Sequence, residues 1–201
     1  MSKITAAITA VGGYVPDYVL SNQILETMVD TNDEWITART GIKERRILKD
    51  KDKGTSFLAI QAAKDLLKKN NTDPKEIDMI VMATATPDMP VAVTGSYVAT
   101  QIGAENAFSY DLMAACSSFL FGMSVAAKYI ESGRYKKVLL IGADKMSSII
   151  DYKDRTTCII FGDGAGAALF EPNYEGLGVQ DELLRTDGSG RESLKIDAGG
   201  S

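Results

Sequence analysis

The stretch DLMAACSSFLFG, Asp111 to Gly122, sets one thiol, Cys116, among small side chains, between a run patterned as a strand and one patterned as a helix. A thiol attacks a carbonyl carbon as its thiolate, and the unpaired N–H groups and dipole at the first turn of a helix favour that anion. Ala114, Ala115, Ser117 and Ser118 permit a tight strand-to-helix turn and leave room for a bulky acyl group on the sulfur. Backbone N–H groups in such a turn can hold a developing oxyanion. The same local pattern also describes a buried cysteine that fills core, since free cysteine is among the most buried residue types. Both readings of Cys116 stand at this level. Cys158, in TTCIIF, reads as a packed mid-strand residue.

Two further groupings carry possible chemistry. GDGAGA, Gly162 to Ala167, has the G-x-G-x-x-A spacing of a dinucleotide-binding turn, which makes a nicotinamide or flavin protein a rival reading. That site needs a helix to open directly after the glycines, whereas AALFEP is short, apolar and ended by proline. A tight glycine turn beside a site, with Asp163 bonding nearby amides, is the other reading. Trp35 and Arg39 are four apart in TNDEWITARTG and share a helix face, so they form either a stacking clamp for a flat base or a half-buried aromatic beside a solvated charge. Lys43, Arg45 and Arg46 read equally as a phosphate-facing rim and as a plain solvated run. The chain has no histidine, which removes the commonest general base, and no metal site is assigned.

These groups need a scaffold. KITAAITAVGGYVP alternates as a strand ending at a Gly-Gly turn, and Ser21 caps a helix through NQILETMVD. Thr31 and Glu34 form a capping-box pattern for a short helix that Gly41 ends. Thr55 is placed to cap a longer helix that stops at KKNNTDPKE. IDMIVMATAT suits a strand buried on both faces. VTGSYVATQIG reads as helix, AFSYDLMA as strand, CSSFLFGMSVAAKYIES as helix with Gly133 past its end, and KKVLLIGAD as a buried strand. The alternating order implies an α/β domain with a mostly parallel sheet and helices on both faces. TCIIFGDGAGAALFEP and GLGVQDELLRTDG read as strands joined by glycine turns. The ending LKIDAGGS looks like an interruption in a loop rather than the edge of a domain.

Composition narrows the classes. The chain has 201 residues, 45% of them hydrophobic, with a formal charge of −5, so a packed domain is expected and nucleic acid is a poor partner. MSKITAAITAVGG lacks the pattern of a signal peptide, and no apolar run reaches the ~20 residues needed to span a bilayer. A cytoplasmic protein with free thiols at Cys116 and Cys158 is the expectation.

TNDEWITARTGIKERR, DLMAACSSF and DRTTCIIFGDGAGA, in this order, resemble the β-ketoacyl-acyl carrier protein synthase III family, the initiating condensing enzymes of fatty acid synthesis. The resemblance runs along the whole chain and implies the thiolase fold, with two similar α/β halves, each holding a five-stranded sheet. Residues 1–171 would be the first half and 172–201 the start of a truncated connection. By the resemblance, Cys116 accepts an acyl group from coenzyme A and holds it as a thioester for condensation with malonyl-acyl carrier protein. Thr31, Trp35, Arg39 and Arg155 fall where the family binds coenzyme A, with adenine sandwiched by Trp35 and Arg39. Phe161 matches a position lining the acyl pocket. Val91 matches one that reaches into the partner subunit's pocket, where a small side chain favours acyl groups bulkier than acetyl. The resemblance also implies acyl-CoA as substrate, no tightly bound cofactor, and a homodimer paired through AFSYDLMA. The histidine and asparagine that donate to the thioester oxygen in the family belong to the second half and have no counterpart here, so this chain alone is expected to be inactive in condensation. Another thiolase-fold acyltransferase, or a non-catalytic binding or assembly module, are the alternatives.

Overall fold

The computed structural model describes residues 4–197 and Gly199; the expected strand start at Lys3 and the closing residues Ala198, Gly200 and Ser201 lie outside the described residues. The strands are β1 (Thr5–Tyr14), β2 (Tyr18–Ser21), β3 (Glu44–Ile47), β4 (Met79–Ala83), β5 (Phe108–Leu112), β6 (Val138–Lys145) and β7 (Asp163–Asn173). The helices are α1 (Asn22–Glu26), α2 (Asp33–Thr40), α3 (Thr55–Asn70), α4 (Thr94–Ile102) and α5 (Ser118–Glu131). Five strands form one sheet in the order β1-β7-β6-β4-β5. β4 pairs parallel with both β5 and β6, while β7 runs antiparallel between β6 and β1. The fold is therefore the expected α/β one, with β7 as the single reversed strand.

Alternation along the strands assigns side chains to two cores. Ile80, Met82, Leu139, Ile141 and Leu169 face α3 and α4, whereas Met79, Val81, Val138, Leu140 and Phe170 face Ala126, Ala127 and Ile130 of α5. β4 is buried along its whole length, as an apolar strand covered by helices must be. Each fully buried Leu, Ile or Phe contributes about 1.5–3 kcal/mol of transfer free energy. A third, smaller cluster of Leu20, Leu25, Ile36, Ile47, Cys158 and Ile159 holds the β2–β3 hairpin, α2 and the turn before β7.

Several local expectations are corrected. Gly12 and Gly13 do not turn the chain; β1 runs through them, and Gly12 is needed because a Cβ there would lie 2.5 Å from the Ala62 carbonyl oxygen of α3. α2 is capped by Asn32, whose Oδ1 accepts from Trp35 N at 2.7 Å, and not by Thr31. Thr55 is the first residue of α3 rather than its cap; the N-cap is Gly54, and the Asp88 carboxylate accepts from Ser56 N at 2.9 Å instead. The β2–β3 hairpin, unforeseen, pairs Tyr18 with Ile47 and Ser21 with Glu44. TTCIIF is a series of turns rather than a strand, and Cys158 is buried within it. GLGVQDELLRTDG forms no strand and is largely exposed. Ser21 does cap α1, Gly41 ends α2 at φ 71°, and Gly133 follows α5 at φ 74°.

Candidate active site

β5 delivers the chain to the sheet's carboxyl edge, where Ala115–Ser117 form one 3₁₀ turn before α5 begins at Ser118. Cys116 therefore sits just ahead of the α-helix, not in its first α-turn. Ala115 adopts φ 47°, a left-handed conformation that is unfavourable for a residue with a Cβ and recurs where a turn must aim a functional group. The Ser118 hydroxyl accepts from Ala114 N at 2.6 Å and braces this turn. Ser117, the N-cap of α5, makes no side-chain capping bond, which leaves the first-turn N–H groups of α5 without that partner.

Cys116 is exposed, which excludes the core-filler reading. Its thiol opens into a cleft of about 380 Å³. Around it stand Phe119, Gly142, Asp144 and Met146, and the far wall is Gly162 with Gly164, Ala165 and Gly166 of β7. The glycine run is thus strand rather than turn, and no helix follows it, so the dinucleotide reading fails. Its small residues instead keep the cleft open, and at Gly166 a Cβ would meet nothing within 4 Å.

Carboxylates fix the loops at this edge of the sheet. Asp111 of β5 accepts from Thr94 N and Gly95 N, both at 2.8 Å, and so caps α4. Asp144 of β6 accepts from Ala85 N at 2.8 Å and Thr86 N at 3.0 Å, and from the hydroxyls of Thr84 and Thr86. Asp163 accepts from Leu48 N and Ser147 N, both at 2.8 Å, which bears out its expected amide-bonding role. Hydrogen bonds to a charged acceptor contribute about 1.5–3 kcal/mol each, so these loops are held rather than left to drift.

The second grouping is assembled around Trp35. The Arg39 guanidinium lies 4.2 Å from the Trp35 ring centre and that of Arg155 4.5 Å, so two cations meet one half-buried indole. Thr31 is beside them in sequence, and its buried hydroxyl has no hydrogen-bond partner among the described residues, an arrangement that calls for an incoming polar group. Arg155 also reaches Asp30 at 3.3 Å, but the fully exposed Asp30 side chain makes that pair weak.

Other expected residues are placed differently. Phe161 is half-buried, and the lining of the Cys116 cleft passes from Met146 to Gly162 without it. Val91 is fully exposed between β4 and α4, with φ 74°, and does not line that cleft. Arg45 is neither a rim residue nor solvated: it is 4% exposed and bonds inward to Ile159 O and Asn22 Oδ1. Asp144, Gly142 and Asn22 were missed, because their roles depend on which strands become neighbours. A second cleft of about 420 Å³ lies between the β2–β3 hairpin and Lys145–Ser148. Among the described residues no helix is long and apolar enough to cross a membrane, and no cluster of His, Cys, Asp or Glu is arranged to hold a metal ion.

Comparison with known proteins shows similarity to 3-oxoacyl-[acyl-carrier-protein] synthases III. Residues 110–188, which include Cys116, match the sequence profile of 3-oxoacyl-[acyl-carrier-protein] synthase III. The chain is 54% identical over 201 residues to beta-ketoacyl-[acyl-carrier-protein] synthase III 2 of Bacteroides thetaiotaomicron, covering all of this chain and 60% of that protein. The synthase III of Chlorobaculum tepidum is also 54% identical, over 198 residues, with 98% and 60% covered. The crystal structure of synthase III from Thermus thermophilus superposes with a TM-score of 0.91 at 41% identity, covering 96% of this chain and 59% of that one. That from Aquifex aeolicus gives 0.80 at 46% identity, covering 83% and 53%. The chain thus spans about 60% of the length of the relatives it matches.

Proposed function

Because the chain belongs to the β-ketoacyl-[acyl-carrier-protein] synthase III family, we propose that it serves the initiating condensation of fatty acid synthesis, with Cys116 as the acyl-carrying nucleophile. One observation carries this: an exposed thiol on a strained turn before α5, open to a cleft walled by glycine and alanine. The Cys116 thiolate adds to the thioester carbonyl of an acyl-CoA, and the tetrahedral oxyanion collapses with loss of the coenzyme A thiolate, which takes up a proton. Malonyl-acyl carrier protein then loses carbon dioxide, and the resulting carbanion attacks the acyl-Cys116 carbonyl. A carbon–carbon bond forms, the Cys116 thiolate leaves, and the ketoacyl group stays on the carrier.

Thr31, Trp35, Arg39 and Arg155 are proposed to receive the coenzyme. The unpartnered Thr31 hydroxyl supports hydrogen bonding to it, and the two guanidiniums at the indole support stacking of a flat, electron-rich base. Phe161 is proposed to border the acyl chain, and Val91 to lie in the partner subunit's pocket. A fully exposed valine at positive φ is consistent with a side chain presented to another surface. β5, the outer strand of the sheet, is the proposed seam of a homodimer. We take residues 1–171 as the first α/β half and 172–201 as the connection beyond it; β7 ends at Asn173, close to that boundary. The two free thiols suit a reducing cytoplasm.

No histidine stands in these 201 residues. The donors that would steady the enolate are therefore incomplete within them, and loss of one such donor costs about 10²–10³ in rate. The test is intact mass after incubation with acyl-CoA, followed by a malonyl-carrier protein chase. Gain of one acyl group, abolished by Cys116→Ala, supports the reading, and ketoacyl product is expected only when a longer synthase supplies those donors. Absence of any adduct on Cys116 would sink it, and an adduct passed to a nucleophile other than malonyl-carrier protein would favour a different acyltransferase.

A further inference from the structure

We infer that Arg45 and Asn22 are positioning residues for the coenzyme clamp: together they lock the turn that carries Arg155 onto the helix that carries Trp35. The inference rests on the adenine-binding role proposed for Trp35 and Arg155, and adds the residues that set their separation.

The two sides of the clamp come from distant parts of the chain. Trp35 and Arg39 belong to α2, whereas Arg155 lies in the turns before β7. Between them runs a path of hydrogen bonds whose centre, Arg45 and Asn22, is buried. Arg45 Nε donates to the Ile159 carbonyl at 2.9 Å, and its Nη2 donates to the same oxygen. Its Nη1 donates to Asn22 Oδ1. Asn22, fully buried, donates through Nδ2 to Asp33 Oδ1 at 2.6 Å and to the Ile42 carbonyl at 2.9 Å, with Thr37 Oγ1 at 3.5 Å. Asp33 is the first residue of α2 and Thr37 lies one turn further along it, so they bracket Trp35. At the other end, Cys158 N donates to the Asp154 carbonyl at 3.0 Å, which ties Ile159 to the turn holding Arg155.

Burial of a guanidinium is costly, and burial pulls the Arg45 pKa below the ordinary arginine value. Among the described residues no carboxylate forms a salt bridge with it; its acceptors are a backbone carbonyl and an amide oxygen. The apolar cluster of Ile36, Cys158 and Ile159 also brings α2 and the turn together, but apolar contact is non-directional. A planar fork bonded at both ends fixes distance and orientation as well. The remaining polar link, Arg155 to the exposed Asp30, is too weak to do so.

Arg45→Lys keeps a cation but cannot bridge Ile159 and Asn22 with one planar group, and Asn22→Ala cuts the path on the α2 side. Affinity of each protein is measured by calorimetry for acetyl-CoA and for acetyl-phosphopantetheine, which lacks adenine. Emission of Trp35, the only tryptophan in the chain, reports on the clamp itself. The expected result is a loss of about tenfold or more for acetyl-CoA in both variants, matching the loss of charge-assisted hydrogen bonds, with affinity for acetyl-phosphopantetheine kept and Trp35 quenching by acetyl-CoA weakened. Equal losses for both ligands, no loss for either, or failure of both variants to fold would overturn the positioning role. A wild-type protein that binds both ligands equally would instead overturn the adenine clamp, and with it this inference.

Discussion

The Arg155 guanidinium stands 4.5 Å from the centre of the Trp35 ring, although the two residues come from separate segments that meet at the third apolar cluster and through the hydrogen bonds of Arg45 and Asn22. The Trp35 face that a stacked base would use is therefore already in contact with a cation. A cation against an aromatic face contributes about 0.5–2 kcal/mol. An adenine bound as proposed would replace this contact with a better one, by entering between the guanidinium and the indole.

Arg155→Ala is accordingly expected to lower affinity for acyl-CoA by about tenfold, equal to about 1.4 kcal/mol, as one face of the stack is lost. Titration monitored by Trp35 emission checks this. An unchanged dissociation constant would remove Arg155 from the clamp.

Alkylation should separate the two thiols. Cys116 is exposed in its cleft, whereas Cys158 has no solvent exposure and burial pushes its thiol up from the ordinary value. Brief treatment of the native protein with iodoacetamide is expected to label Cys116 alone, with Cys158 labelled only in denaturant. Peptide mass mapping reads the result, and native labelling of Cys158 would contradict its packing.

Two glycines should respond in opposite ways to the same change. Gly12→Ala places a Cβ 2.5 Å from Ala62 O and Leu66 N, backbone atoms of α3 that must move away, at a cost of about 1–3 kcal/mol. Gly166→Ala meets nothing within 4 Å, so stability should hold within about 1 kcal/mol while acylation slows as the cleft fills. Urea midpoints and the rate of adduct formation at Cys116 provide the two readouts.

Acid should weaken the junction of β1, β6 and β7 through Glu171. Burial pushes its carboxyl up, but hydrogen bonds from Lys137 and Thr9 and the Lys137 charge outweigh that and hold it below its ordinary value of 4.5. A carboxylate lowered in the folded state contributes stability that is full above about 4.5 and is lost as pH falls through the lower folded value. Glu171→Gln should therefore cost about 1 kcal/mol at pH 7, with a difference from wild type that shrinks below about pH 4. Urea unfolding across that range checks it; a difference independent of pH would assign the loss to packing.

Local pattern was enough for much of this protein. The apolar run at Met79–Ala83, the alternation before Cys116 and the helical spacing of Ser118–Glu131 each name their element, because burial on one or two faces leaves a period in the chain. The motifs around Trp35, Cys116 and Asp163 likewise named candidate residues and carried the family resemblance. What pattern could not decide was which distant segments meet. Arg45 lies in a charged run that reads equally as a phosphate-facing rim and as solvated; only the β2–β3 hairpin and the turn at Ile159 bury it. The glycines of Gly162–Gly166 resemble a phosphate-binding turn by spacing, but pairing of β7 with β1 and β6 puts Gly164 and Gly166 in a strand that walls a cleft. Whether Cys116 is buried as core filler or open to solvent also fell to tertiary structure. Solvent access to one sulfur depends on how β5, β6 and β7 end around it, and that is set by long-range packing, which a local window of residues does not contain.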